Sequence, residues 1–130
     1  MNRPTILCVD DDPMVLASLS AQLRGAFGGA CSLETAESAE EALEAIHELS
    51  GSGLRLIVIV SDWLMPGLRG DELLRQVHEE HPDIMKVLLT GQADRASVEQ
   101  AKRDGAVDVS LCKPWDEAAL LAVIREGLGW

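Results

Sequence analysis

Five short apolar runs recur along the chain, each followed by a segment whose apolar residues return at helical spacing, and this alternation restricts the fold more than any other feature. The runs are Thr5–Val9, Ala30–Leu33, Leu56–Val60, Ile84–Leu89 and Val107–Cys112. The third and fourth are nearly continuous in Ile, Val and Leu, the pattern of strands covered on both faces in a parallel sheet. Val15, Leu19, Leu23 and Phe27 repeat every four residues, and Ala39, Ala42, Leu43, Ile46 and Leu49 form a second stripe. Leu73, Leu74 and Val77 mark a third helix, Val98 and Ala101 a weaker fourth, and Leu120, Leu121, Ile124 and Leu128 a fifth. Ser38 with Glu41 reads as a capping box, and Gly25, Gly51 and Gly105 lie near the expected helix ends. The pattern is (βα)₅, an α/β fold. Strict alternation requires right-handed crossovers with helices on both faces, which gives a three-layer sandwich.

The 130 residues fit one domain spanning 1–130, with no room for a second, and contain no repeat, linker or low-complexity segment. A formal charge of -11, with Lys and Arg totalling 11 and forming no run, argues against a nucleic-acid partner, which would need a basic face. Cys8, Cys31 and Cys112 are odd in number and lack metal-ligand spacing, so a reducing cytoplasm is the expected compartment. The N-terminus lacks the long apolar stretch of a signal peptide, and the run Leu56–Val60 is far too short to span a bilayer.

Every expected strand except the second runs into polar residues that apolar packing does not explain. These are Asp10, Asp11 and Asp12 after the first, Ser61 and Asp62 after the third, Thr90 after the fourth and Lys113 after the fifth. Parallel strands place these ends on one rim, where α/β sheets bind their ligands. Gathering carboxylates there is unfavourable, because like charges near 4 Å repel by roughly 4 kcal/mol per pair at an effective dielectric of about 20. A cation must compensate. A hard divalent ion such as Mg²⁺ suits oxygen ligands and a bridging phosphate, and Lys113 adds a further positive charge. A carboxylate so neutralised can attack phosphorus to form an aspartyl phosphate. Asp62, a single acid before the turn Met65-Pro66-Gly67, is the candidate nucleophile, while the pair Asp10 and Asp11 suits metal binding. Asp12 is expected to cap the first helix, and the Thr90 hydroxyl can turn toward a phosphoryl oxygen. His47, His78 and His81 are expected to face solvent, outside the chemistry.

The segments Ile6-Leu7-Cys8-Val9-Asp10-Asp11-Asp12-Pro13, Ser61-Asp62-Trp63-Leu64-Met65-Pro66-Gly67 with Gly70, Val87-Leu88-Leu89-Thr90-Gly91, Gly105-Ala106 and Lys113-Pro114 resemble, in this order, the receiver domain of bacterial two-component response regulators. The resemblance covers essentially the whole chain. It implies a flavodoxin-like parallel sheet of order 2-1-3-4-5. It also implies phosphorylation of Asp62, Mg²⁺ held by Asp10, Asp11, Asp62 and the backbone carbonyl of Leu64, a switch hydroxyl at Thr90 and a phosphate-contacting amine at Lys113. Such domains catalyse their own phosphorylation and hydrolysis without being conventional enzymes. They take the phosphoryl group from a sensor histidine kinase or phosphotransfer protein, control an output partner or domain, and often dimerise through the fourth and fifth helices. Here Arg95, Lys102, Arg103 and Asp104 offer charges for such a contact.

Ser110 departs from the family, which usually carries an aromatic switch residue three positions before the Lys. Readout through the fourth-helix backbone or Trp115 is the expected substitute. Leu64 and Gln92 occupy the positions that tune hydrolysis in the family, and an apolar Leu64 implies a long-lived phosphoryl group. Trp63 and Trp115 flank Asp62 and Lys113, so both can border the pocket, although Trp115 is expected to cover the start of the last helix and not to touch ligand. Two other readings compete. One is a phosphate-independent docking module, favoured by Ser110. The other is a haloacid-dehalogenase-like phosphohydrolase, in which Asp10-Asp11-Asp12 serves as Asp-x-Asp, although Met14 stands where that motif wants Thr or Val.

Overall fold

The parity of each central strand decides which helices it meets. A computed structural model describes residues 3–53, 55–91 and 95–130. Its elements alternate in chain order: β1 Thr5–Val9, α1 Pro13–Phe27, β2 Ser32–Ala36, α2 Ala39–Gly51, β3 Leu56–Asp62, α3 Gly70–Glu80, β4 Met85–Thr90, α4 Arg95–Arg103, β5 Val109–Cys112 and α5 Glu117–Leu128. All strand pairs are parallel, in the order β2-β1-β3-β4-β5. Leu7, Val9, Ile59 and Leu88 point to one face, where they pack on Ala42 and Ile46 of α2, Leu74 and Val77 of α3, and Val98 of α4. Ile6, Cys8, Val58, Val60, Val87 and Leu89 point to the other, under Leu19 and Leu23 of α1 and Leu120 and Ile124 of α5. Two cores thus sandwich the sheet, as the alternating order requires. Each fully buried leucine among them contributes roughly 1.5–3 kcal/mol.

The second strand lies later than expected, at Ser32–Ala36 instead of Ala30–Leu33. Two causes act together. The N–H groups of Ala30 and Cys31 both donate to the Phe27 carbonyl, so residues 28–31 turn off the end of α1. β2 is also an edge strand whose Glu34 and Thr35 are exposed, so it carries no apolar run to find. Asp12 caps α1 as expected, its side chain accepting from the N–H groups of Met14 and Val15. The capping box is half formed: Ser38 Oγ accepts from Glu41 N–H at 3.1 Å, but Glu41 Oε2 accepts from Glu37 N–H. Gly25 lies inside α1, Gly51 ends α2, and Gly105 follows α4 with a φ of 80°.

One glycine fixes how closely α3 approaches the end of β3. A Cβ added at Gly70 would sit 2.0 Å from the Asp62 carbonyl oxygen and 2.9 Å from its carbon. Gly70 N–H also donates to the Trp63 carbonyl at 2.8 Å, which locks the turn behind Asp62. In an ordinary helix Gly→Ala stabilises by about 0.5–1 kcal/mol. Here the backbone must move, so Gly70→Ala is expected to destabilise by about 1–3 kcal/mol in urea denaturation; an unchanged or raised midpoint would contradict the contact.

Candidate functional site

The parallel register delivers the polar strand ends to one rim. Asp10 leaves β1 with its N–H bonded to the Ala36 carbonyl at 3.1 Å, and its Oδ1 accepts the Asp12 N–H at 2.9 Å. Asp62 is the last residue of β3, in register with Leu89 of β4. Thr90 ends β4, and its carbonyl accepts the Lys113 N–H at 2.6 Å just past β5. The Lys113 ammonium therefore returns to the middle of the sheet, 2.8 Å from Asp10 Oδ2 and 2.9 Å from Asp62 Oδ1. Asp11 is exposed beside them, and one carboxylate oxygen from each of Asp10, Asp11 and Asp62 lies within 4.8 Å of the other two.

Three carboxylates face one ammonium, and the electrostatics record the imbalance. Burial pushes the Asp62 carboxyl above the usual aspartate range; the hydrogen bond from Lys113 opposes this, and repulsion from Asp10 and Asp11 adds to it. Burial alone would lower the Lys113 pKa, but the hydrogen bonds to Asp10 and Asp62 outweigh it and the pKa is raised. The donor set fits a hard divalent cation. Octahedral coordination at about 2.1 Å places ligand oxygens roughly 3–4 Å apart, inside the 4.8 Å within which one oxygen of each carboxylate lies from the others. The amine and the acids also neutralise each other only in part, so the pocket keeps an excess of negative charge.

The remaining sequence-predicted residues divide. Thr90 is 7% exposed on the same rim. Beside it lies an open recess of about 400 Å³ lined in part by Val98, Ser110 and Cys112, so the small side chain of Ser110 leaves space next to the hydroxyl. Leu64 is 69% exposed. Gln92 lies outside the described residues. Trp63 is buried after Asp62, with the Arg69 guanidinium 5.2 Å from its ring centre. Trp115 turns away from α4, and its indole N–H donates to Gln22 Oε1 on α1. Of the histidines, His47 is exposed, whereas His81 is half-buried and His78 is half-buried against Gly105 with Nδ1 enclosed, both contrary to the solvent-facing expectation.

Sequence reasoning missed Lys86, a lysine buried within β4 whose Nζ donates to the Ile84 carbonyl at 2.7 Å and lies 3.5 Å from Asp108. It belongs to the other end of the sheet and takes no part in the rim. A recess of about 650 Å³ near Arg55, Asp83 and Gly127, larger than the one beside Thr90, is also at that end, so cavity size is a poor guide to the site.

This rim, on a flavodoxin-like sheet, is the arrangement of a phosphorelay receiver. The chain matches the response regulator receiver domain over residues 6–125 and belongs to that family. It is 37% identical over 123 residues to the C4-dicarboxylate transport transcriptional regulatory protein DctD of Pseudomonas aeruginosa, covering 95% of this chain and 25% of DctD. Identity to the transcriptional regulatory protein FixJ of Azorhizobium caulinodans is 36%, over 93% of this chain and 53% of FixJ. The chain thus spans between a quarter and about half of these relatives. The solved signal receiver domain of an HD domain-containing protein from Pseudomonas fluorescens superposes with a TM-score of 0.85 at 29% identity, covering 98% of this chain and 96% of that one. Relatedness to response regulators makes phosphorelay signalling the chain's class of function, and sets aside the phosphohydrolase reading. Receiver domains work with histidine kinases and output domains, and among the relatives are the transcriptional regulators above and the sensor kinase CckA of Brucella abortus. No helix among the described residues is long and apolar enough to cross a membrane.

The raised Asp62 pKa has a definite sign for stability. Folding favours the protonated carboxyl, so its contribution is full below the ordinary aspartate pKa and is lost as pH rises through the raised one. In buffer free of divalent ions, the stability of Asp62→Asn relative to wild type should therefore increase between about pH 4 and pH 7. Chemical denaturation across that range measures it, and a constant or shrinking difference would contradict the electrostatic account.

Proposed function

We propose that the chain acts as one receiver domain over residues 1–130, in which Asp62 accepts a phosphoryl group from a phosphohistidine on a sensor kinase or phosphotransfer protein. The carrying observation is the single Lys113 ammonium within 3 Å of both Asp10 and Asp62, which joins the nucleophile, the acid pair and the cation in one pocket. The Asp62 carboxylate attacks phosphorus, an O–P bond forms, and the P–N bond to the donor imidazole breaks. Lys113 moves its hydrogen bond from Asp62 to a phosphoryl oxygen, and the Thr90 hydroxyl donates to another. A Mg²⁺ ion bound by Asp10, Asp11, Asp62 and the Leu64 carbonyl would neutralise the charge spread over the transferring oxygens.

Withdrawal of Lys113 and Thr90 toward the phosphoryl group biases a pre-existing equilibrium, which an output partner or domain reads. The recess at Ser110 means that this readout does not use an aromatic side chain from position 110. Leu64 offers no hydrogen bond to align an attacking water, which favours slow self-hydrolysis. Arg95, Lys102 and Arg103 are exposed on α4 and available to a second copy. Asp104, by contrast, is already engaged by Arg75 and Gln100 within the chain.

Incubation with acetyl phosphate, followed by intact-protein mass, tests the proposal. A single phosphoryl adduct is expected that needs Mg²⁺ and vanishes in Asp62→Ala. No adduct in the wild type under any condition would favour the phosphate-independent docking module.

A further inference from the structure

The segment from Lys113 to Asp116 is tied down at three places. Lys113 N–H donates to the Thr90 carbonyl of β4 at 2.6 Å, and the Asp116 side chain caps α5 by accepting from Ala119 N–H at 3.0 Å. Between them, the Trp115 indole N–H donates to Gln22 Oε1 at 2.7 Å, a contact across 93 residues of sequence. The Trp115 ring also packs on the core beneath α1 and α5. That packing uses only the apolar faces of the ring. The hydrogen bond is therefore additional to packing, and it specifies where the loop sits relative to α1.

We propose that Gln22 and Trp115 are positioning residues for Lys113, forming a latch that sets the reach of its ammonium into the acid pocket. The inference rests on the proposed phosphoacceptor function. α1 starts directly after Asp10 and Asp11 and is capped by Asp12, so Gln22 belongs to the rigid element that carries the acid pair. Trp115 lies two residues beyond Lys113. The latch therefore connects the two sides of the Lys113–Asp10 ion pair through a path separate from the ion pair itself. Lys113 has a long, flexible side chain that remains 23% exposed, so the backbone of its loop must supply much of the orientation. When the amine leaves Asp62 for a phosphoryl oxygen, the latched loop keeps it within reach.

The test compares initial rates of adduct formation with acetyl phosphate at saturating Mg²⁺. Trp115→Phe keeps an aromatic ring, though a smaller one, and removes the donor, and Gln22→Leu removes the acceptor. Each should slow transfer by about five-fold, the value of one net hydrogen bond. Gln22→Glu keeps an acceptor oxygen and should stay near the wild-type rate, and the double variant should be no slower than either single one. Wild-type rates in either single variant, multiplicative slowing in the double, or a Gln22→Glu as slow as Gln22→Leu would each overturn the latch. A wild type that takes up no phosphoryl group overturns the proposed function itself, and the latch with it.

Discussion

The contact on which the site depends is the Lys113 ammonium lodged between Asp10 and Asp62. Without a cation, the acids that leave β1 and β3 would repel one another in a nearly buried pocket. With it, the chain can hold three carboxylates on one rim and still leave them short of neutrality. That residual negative charge suits a hard divalent ion of the kind receiver domains generally use. Burial, with repulsion from Asp10 and Asp11 added, keeps Asp62 above its ordinary pKa, a cost in folding stability near neutral pH.

Everything that delivers Lys113 to this place is a property of the fold. The order β2-β1-β3-β4-β5 sets β1 beside β3, so Asp10 and Asp62 become neighbours although 52 positions separate them. β4 intervenes between β3 and β5, and Lys113 crosses it through the bond to the Thr90 carbonyl. Behind Asp62, Gly70 lets α3 close onto the β3 end where any side chain would collide with the Asp62 carbonyl. The two leucine-rich cores hold this geometry from opposite faces.

Much of this was legible in the sequence because central parallel strands are apolar on both faces, and a polar residue at their ends stands out. β1 was found at its observed bounds, and the rim residues Asp10, Asp62, Thr90 and Lys113 converge as their strand ends require. β2 was displaced because an exposed edge strand has little apolar signal. Lys86 was invisible because a charged residue inside a central strand reads as exposed unless its partners, the Ile84 carbonyl and Asp108, are known. The side to which Trp115 turns depends on a contact with Gln22, which no local pattern encodes. His78 was misjudged for the same reason, since its burial comes from the close approach of Gly105.

The central claim is that the phosphoryl group resides on Asp62 and on no other acid of the rim. Borohydride reduces an acyl phosphate to the alcohol, so reductive trapping of the phosphorylated protein followed by peptide mass mapping reads the position directly. Homoserine at position 62, with Asp10 and Asp11 intact, is the predicted result; homoserine at position 10 or 11 would contradict the assignment of nucleophile and acid pair.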